Sequence, residues 1–475
     1  MTRYTTSRRG TEVGTREKLL NVCNPANGEV IASLHQSDAS DAYAAADEAA
    51  AAFAAWSRAA GRARADILLR VAALLGDGAD ELGLLLAKET GKRLPEAVGE
   101  IMFAAEYFRW FAEEARRPIG QIMPSEVSKR RHHTLARPAG VALCLSPWNF
   151  PVSIQARKLA AALAAGCTVV ARPSEKAPLA VARMFDLIHD AGAPPGVAKL
   201  IVGPAAELTE ALLAHPSVRV VSFTGSTSVG RSILKLAAQR VVTPLMELGG
   251  DAPFIVFADC DLDRAVEGAM LAKFRNNGQS CIAANRFYVE SPVFEEFIRR
   301  LAARVDSMTI GDPTEAPIPD LGPLIDEERK SAITGLVAEA RTLGARLINR
   351  ERDDLKGSFV APALLVDVPA GARLSCEEVF GPAAAIFPFE GESEAIEAAN
   401  ATEMGLAAYV YTGSFDRALR LQEEIQVGIL GMNNALPSVA FAPMGGWKQS
   451  GLGREGSRRG LEEFQELTYV SSELA

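Results

Sequence analysis

Cysteine and histidine are scarce in this chain, with six and five in 475 residues. The cysteines, Cys23, Cys144, Cys167, Cys260, Cys281 and Cys376, are widely spread and make no CxxC pair. That excludes a disulfide frame and fits a reducing compartment, the cytoplasm. The histidines form no HxxxH or HExxH, so neither a structural nor a catalytic metal is expected. Positive charge is not in excess either. A formal charge of -9 argues against a nucleic-acid groove and against an anionic membrane surface. No apolar run reaches bilayer length; the longest, 159–171, is Ala-rich and carries Gly and Thr. Internal repeats and low-complexity linkers are also lacking. The opening MTRYTTSRRG is basic and hydroxylated like a transit peptide, but Glu12 and Glu17 follow, and a frayed tail is expected.

The length is too great for one core, so two or three domains are expected. Asn-Pro and Asn-Gly signals predict a hairpin over 21–34. An Ala-rich helix is predicted over 38–58, and helical periodicity continues through 62–75, 79–89 and 95–115. No catalytic constellation is visible in that first stretch. Residues 117–136 read as exposed extended chain. From 140 to 238, apolar strands alternate with helices, the signature of a parallel sheet covered on both faces. Polar stretches follow those strands, where such sheets bind ligands. A second α/β region begins after residue 247. The tail is Gly-rich, then charged, and 468–471 reads as a strand.

Five stretches carry chemistry. FRNNGQSC, 274–281, sets Cys281 after a polar turn, beside backbone donors that suit a reactive thiolate; the alternative is a small buried hydrophobe. TGSTSVGRS, 224–232, joins a strand to a helix whose first N–H groups can hold a phosphate. It is one residue from a P-loop, with Arg231 where Lys is required, and a planar guanidinium replaces that lysine poorly. A P-loop-like nucleotide-binding protein is therefore the rival class. PWNFP, 147–151, holds Asn149 between prolines, as a turn former or as an oxyanion donor. MELGGDAP, 246–253, sets Glu247 among apolar residues, where desolvation raises a carboxyl toward general-base range; the alternative is a surface Glu. EEVFGP, 377–382, offers Glu378 to ribose hydroxyls and Phe380 to a flat ring, or is a capped turn with a core Phe.

In this order, with RPSE at 172–175 and PxGGxKxSGxGRE ending at 455, these stretches resemble the aldehyde dehydrogenase superfamily. The resemblance covers nearly the whole chain. It implies an α/β fold: a Rossmann-like parallel-sheet NAD(P)-binding domain (1–118 and 138–246), a second α/β catalytic domain (247–445), and a small extended oligomerisation element (119–137 and 446–475). It implies an enzyme with Cys281 as nucleophile, Glu247 as general base, and Asn149 with the Cys281 N–H as oxyanion hole. Trp148, Arg172, Pro173, Ser174, Glu175, Thr224, Gly225, Ser226, Leu248, Glu378 and Phe380 would line the cofactor. Cys281 would attack an aldehyde, hydride would leave to nicotinamide, and Glu247 would activate the water that releases the acid.

Within the superfamily, QARK, FRN before the Cys, and Ser438 before PMGG look like the succinate-semialdehyde dehydrogenase group. That likeness implies Arg157, Arg275 and Ser438 as holders of a substrate carboxylate, with glutarate semialdehyde or a general aldehyde as alternatives. Three departures stand out. Arg172 replaces the usual Lys, Asp251 follows ELGG, and Ala283 occupies the place of a second cysteine, which removes a Cys-x-Cys switch. Glu175 favours NAD by repelling a 2′-phosphate, and Arg172 leaves NADP open. The resemblance also implies a homodimer or homotetramer.

Overall fold

The computed structural model describes residues 19–117, 120–352 and 354–473. The N-terminal tail, the boundary expected at 118–119 and residues 474–475 lie outside the described residues. The first sheet has six strands in the order Gly451–Leu452, Thr243–Glu247, Val218–Thr224, Val141–Ser146, Thr168–Pro173, Ala198–Leu200. All neighbours pair in parallel except the first two. Val141–Ser146 and Thr168–Pro173 are buried at every residue, as a sheet covered on both faces requires. The carboxyl ends of four strands, Ser146, Pro173, Thr224 and Glu247, run directly into PWNFP, Ser174-Glu175, Gly225-Ser226 and Leu248-Gly249-Gly250.

Helix Pro151–Ala165 lies wholly buried behind this sheet. Its Ala-rich surface lets Leu94–Glu114 pack closely, so the core there is built from Ala97, Ala104, Ala156 and Ala160 with Phe108 and Phe111. The first segment of the chain thereby reaches the back of the PWNFP loop. Lys92 precedes this helix, and Glu96, Glu100 and Tyr107 follow on its buried side.

A second sheet has seven strands in the order Arg346–Leu347, Ala363–Val366, Ala383–Phe389, Ala284–Glu290, Ala252–Val256, Ala407–Tyr411, Ile429–Met432. Only the first edge strand is antiparallel. Cys281 falls between helix Leu262–Phe274 and strand Ala284–Glu290. Among the described residues no helix is long and apolar enough to cross a membrane.

A three-stranded sheet pairs Gln465–Glu473 with Arg130–Pro138, and that strand with Ile122–Met123. The tail strand is thus longer than 468–471. Residues 446–475 do not form one element, however. Gly451–Leu452 joins the six-stranded sheet, and helix Ser457–Glu462 packs on Leu94–Glu114 and Pro151–Ala165.

Candidate active site

The FRNNGQSC loop is shaped by its amides. Asn276 and Asn277 have φ of 51° and 57°, left-handed values that Asn tolerates better than most residues. Asn277 Nδ2 donates to Pro323 O (2.8 Å), and its Oδ1 accepts from Gly322 N (2.9 Å). Gln279 Oε1 accepts from Ile325 N (3.0 Å). Asn276 Nδ2 donates to the carbonyls of Asn149 (2.9 Å) and Gln279 (3.0 Å), tying this loop to PWNFP. Gly278 has φ of +75°, and a Cβ there would collide with the Gly381 carbonyl. The polar residues of the motif therefore hold the loop, and Cys281 at its end is half-buried.

Asn149 Nδ2 donates to Gln279 O (3.1 Å), while its buried Oδ1 has no hydrogen-bond partner among the described residues. Glu247 is buried, and neither of its carboxylate oxygens has a hydrogen-bond partner among them. The two glycines after it are required by close passage. A Cβ on Gly250 would meet the Cys281 carbonyl oxygen, and one on Gly249 would lie 2.7 Å from Glu378 Oε2. ELGG thus threads between the thiol loop and Glu378.

Burial, then the Glu455 carboxylate, pushes Glu247 up to about 8. Burial also pushes Glu455 up, but Arg157 and Lys158 outweigh it and hold Glu455 below the ordinary carboxylate range. Glu455 pairs with Arg157 Nε and Lys158 Nζ, both at 2.5 Å, and accepts from Ser222 Oγ (3.0 Å). Buried charges persist only when paired in this way, because an unpaired one costs several kcal/mol. Burial, then the Glu378 and Glu247 carboxylates, pushes the Cys281 thiol up to about 12. The expectation of a local field favouring the thiolate is therefore corrected: two neighbouring carboxylates oppose it.

The expected cofactor residues sit at or just beyond strand ends of the six-stranded sheet, with Glu378 and Phe380 in the EEVFGP turn. Trp148 and Phe380 meet edge to face with centroids 5.4 Å apart. Ser226 caps helix Thr227–Ala238, accepting from Val229 N (3.4 Å), and Leu248 packs under that helix at Gly230. A Cβ on Gly225 would strike the Phe223 ring. Thr224 Oγ1 and Thr227 Oγ1 are buried without partners. Orphaned hydroxyls at the start of a helix fit the phosphates of a dinucleotide. Glu378 accepts from Gly250 N (3.1 Å), and burial pushes it up to about 7. Ser174 Oγ accepts from Lys176 N (3.3 Å) just beyond Pro173. Glu175 pairs with Arg172, and its Oε1 accepts from Ala205 N (3.0 Å). Arg172 also donates to Gly203 O (3.1 Å), so its charge is already engaged. Among the described residues no group of three His, Cys, Asp or Glu side chains is arranged to hold a metal ion.

The three expected substrate residues differ in what they touch. Arg157 is buried, paired with Glu455, and 5.9 Å from the Tyr107 ring centroid; it donates to Met444 Sδ. Ser438 Oγ lies 3.8 Å from the same sulfur, so these two share a wall. Arg275 sits over the Phe150 ring at 5.1 Å. Among the described residues no hydrogen bond or ion pair engages its side chain.

Asp251 has a structural explanation. Its Oδ2 lies 2.8 Å from Arg286 Nε, with both groups buried, and its carboxylate offsets the charge of buried Lys273. The first hundred-odd residues also need correction, since Lys92, Glu96, Glu100 and Tyr107 all reach the site. Glu96 Oε2 accepts from Asn276 N (3.2 Å). Their sequence shows only helical periodicity. Glu455 and Lys158, in contrast, stand inside the GRE and QARK strings and were visible as motif members without a role.

A profile of the aldehyde dehydrogenase family matches residues 12–470. The chain is 44% identical to 3-sulfolactaldehyde dehydrogenase of Pseudomonas putida, over 94% of this chain and 92% of that one. It is 42% identical to succinate-semialdehyde dehydrogenase [NADP(+)] of Escherichia coli (95% and 94%) and 41% identical to glutarate-semialdehyde dehydrogenase of Pseudomonas aeruginosa (95% and 93%). Its fold superposes on succinate-semialdehyde dehydrogenase of Burkholderia pseudomallei with a TM-score of 0.96 at 39% identity, covering 100% of each chain. It superposes on NAD+-bound betaine aldehyde dehydrogenase of Staphylococcus aureus with a TM-score of 0.94 at 32% identity, over 97% and 93%.

Proposed function

The chain belongs to the aldehyde dehydrogenase family, and from that premise we propose that its substrate is an aldehyde with a remote anionic group, foremost succinate semialdehyde, oxidised to succinate. The enzyme class itself, an NAD(P)-dependent aldehyde oxidoreductase, follows from the family.

Arg275 carries the substrate reading. It stands six residues before Cys281 with its guanidinium unpaired, and an Arg fork matches a carboxylate in two bonds. Arg157 is a weaker anchor than its sequence position suggested, because Glu455 already neutralises it. Ser438 adds a hydroxyl beside Arg157. Glutarate semialdehyde, longer by one methylene, is the alternative, and pockets separate such homologues weakly. The test is kcat/KM for succinate semialdehyde against butanal, in the parent enzyme and in Arg275→Met. A preference of ~100-fold or more for the acid, lost in the variant, is expected. Equal values in the parent enzyme would contradict the anionic substrate.

In the proposed reaction Cys281 Sγ adds to the aldehyde carbon as its proton passes to Glu247, the raised carboxylate that faces it. Asn149 Nδ2 and the Cys281 N–H donate to the new oxyanion. The bound dinucleotide supplies the hydride acceptor that turns the thiohemiacetal on Cys281 into a thioester. Glu247, having passed the thiol proton on to solvent, then takes a proton from the attacking water, whose oxygen adds to the thioester carbon and displaces Cys281 Sγ, releasing the acid. Glu455, fixed by Arg157 and Lys158, keeps Glu247 basic enough for both proton transfers.

Trp148, Arg172, Pro173, Ser174, Glu175, Thr224, Gly225, Ser226, Leu248, Glu378 and Phe380 are assigned to the dinucleotide. Glu175 at the ribose corner opposes a 2′-phosphate, and Arg172 is occupied by it, so NAD is preferred to NADP. The six-stranded sheet is read as the cofactor unit and the seven-stranded sheet as the catalytic unit. A homodimer or homotetramer would form through the three-stranded sheet, where Ile122, Leu467 and Tyr469 are exposed. The cytoplasm suits an enzyme that depends on a free thiol.

A further inference from the structure

Lys92 lies between the helices Ala79–Thr90 and Leu94–Glu114, and no part of it is exposed. Its ammonium pairs with Glu100, donates to the Asn149 carbonyl (2.7 Å), and sits 4.2 Å from the Phe150 ring centroid. Glu100 reaches the same loop from its other oxygen, accepting from Val152 N (3.0 Å) and Ser153 N (3.1 Å). The pair therefore grips the Asn149–Phe150 peptide at its carbonyl and the chain just after it at the Val152 and Ser153 N–H groups. Asn276 adds a second donor to the Asn149 carbonyl. That carbonyl would be satisfied by Asn276 alone, so hydrogen-bond satisfaction does not require a buried ammonium. What the ammonium adds is a rigid, charge-assisted anchor behind the Asn149 carboxamide, whose Nδ2 donates to Gln279 O in the Cys281 loop.

We propose that the Lys92–Glu100 pair is a positioning element for Asn149, fixing its peptide so that Nδ2 reaches the oxyanion formed on the Cys281 adduct. The inference rests on the reading of Asn149 as oxyanion donor. An oxyanion donor acts over a narrow distance range, and a small misplacement removes most of its effect. Lys92 touches neither substrate nor thiol; it acts through Asn149.

A double-mutant cycle tests this in the full-length enzyme. Lys92→Met/Glu100→Gln removes both charges and keeps an acceptor for Val152 and Ser153. Pre-steady-state NADH formation is measured in this variant, in Asn149→Ala, and in the combination. Asn149→Ala should lose ~100-fold or more. The charge-pair variant should lose ~10- to 100-fold in the parent background and under ~3-fold in the Asn149→Ala background, because the anchored group is gone. Iodoacetamide alkylation of Cys281 and the Kd for NAD should stay within ~2-fold throughout, since neither uses the oxyanion donor. Full multiplication of the two losses, or a parallel fall in alkylation and NAD binding, would reduce Lys92 to a folding role and overturn the proposal. An Asn149→Ala enzyme with the parent rate would instead overturn the oxyanion reading itself. Should the charge-pair variant not fold, Lys92→Arg, which keeps the charge but replaces the compact ammonium with a planar fork, enters the same cycle. It is held to the same criterion of non-additivity.

Discussion

Two kinds of region meet at this site, and their polar atoms differ in what satisfies them. The loops at the strand ends carry Asn149 and Glu247, whose Oδ1 and two carboxylate oxygens have no partner among the described residues. The charged supports behind them, Lys92, Glu100 and Glu455, are committed: Glu100 accepts from Lys92, Val152 and Ser153, and Glu455 from Lys158 and Ser222 while pairing with Arg157. Burying an unpaired carboxylate is costly, so a fold tolerates it only where turnover needs it. Asn149 and Glu247 keep oxygens without partners among the described residues, whereas Lys92, Glu100 and Glu455 behind them are paired.

The largest effect that would sharpen this contrast is at the thiol. Cys281→Ala should lower aldehyde oxidation by at least ~10⁴-fold while leaving NAD binding within ~2-fold, checked by NADH formation and by fluorescence titration. Oxidation at the parent rate would break it. A smaller effect separates Glu247 from its support. Glu247 sits at about 8 because burial and Glu455 both raise it. As a base it must be ionised, so thioester hydrolysis should rise with pH up to about 8 in the parent enzyme. Glu455→Gln removes a negative charge and frees Arg157 and Lys158 to favour the Glu247 carboxylate. The acid limb should therefore move down by ~1 pH unit. A limb that stays in place or moves up would show that Glu455 does not set the base.

The same contrast explains what the sequence made legible. Strand-end loops are constrained residue by residue. PWNFP, ELGG and FRNNGQSC each need prolines, glycines or left-handed asparagines at fixed places, and such constraints read as motifs. Glu96, Glu100 and Tyr107 reach the site from a helix, where their spacing is the same 3.6-residue periodicity that any packed helix shows, and Lys92 from the short link before it. Nothing local marks them as polar groups turned inward. Thr243–Glu247 was missed as a strand because TPLME is short and has Pro244 at its second position, and Ala383–Phe389 because alanines and Pro388 mask its period. Glu175 was placed at the ribose corner, but its pairing with Arg172 depends on a rotamer that spacing does not reveal. The thiol field was misjudged for a related reason. Glu378 lies far from Cys281 in sequence, and only folding brings its charge to bear.

The most direct test of the account is the fate of Glu247→Gln on rapid mixing with NAD and succinate semialdehyde, followed by acid quench and intact-mass and peptide-mass analysis. The account predicts slowed NADH formation, because Glu247 also takes the thiol proton, that stops at about one NADH per chain with one succinyl group on Cys281, because the thioester that does form cannot be hydrolysed. Steady turnover at the parent rate, or NADH formed with no acyl group on Cys281, would contradict it.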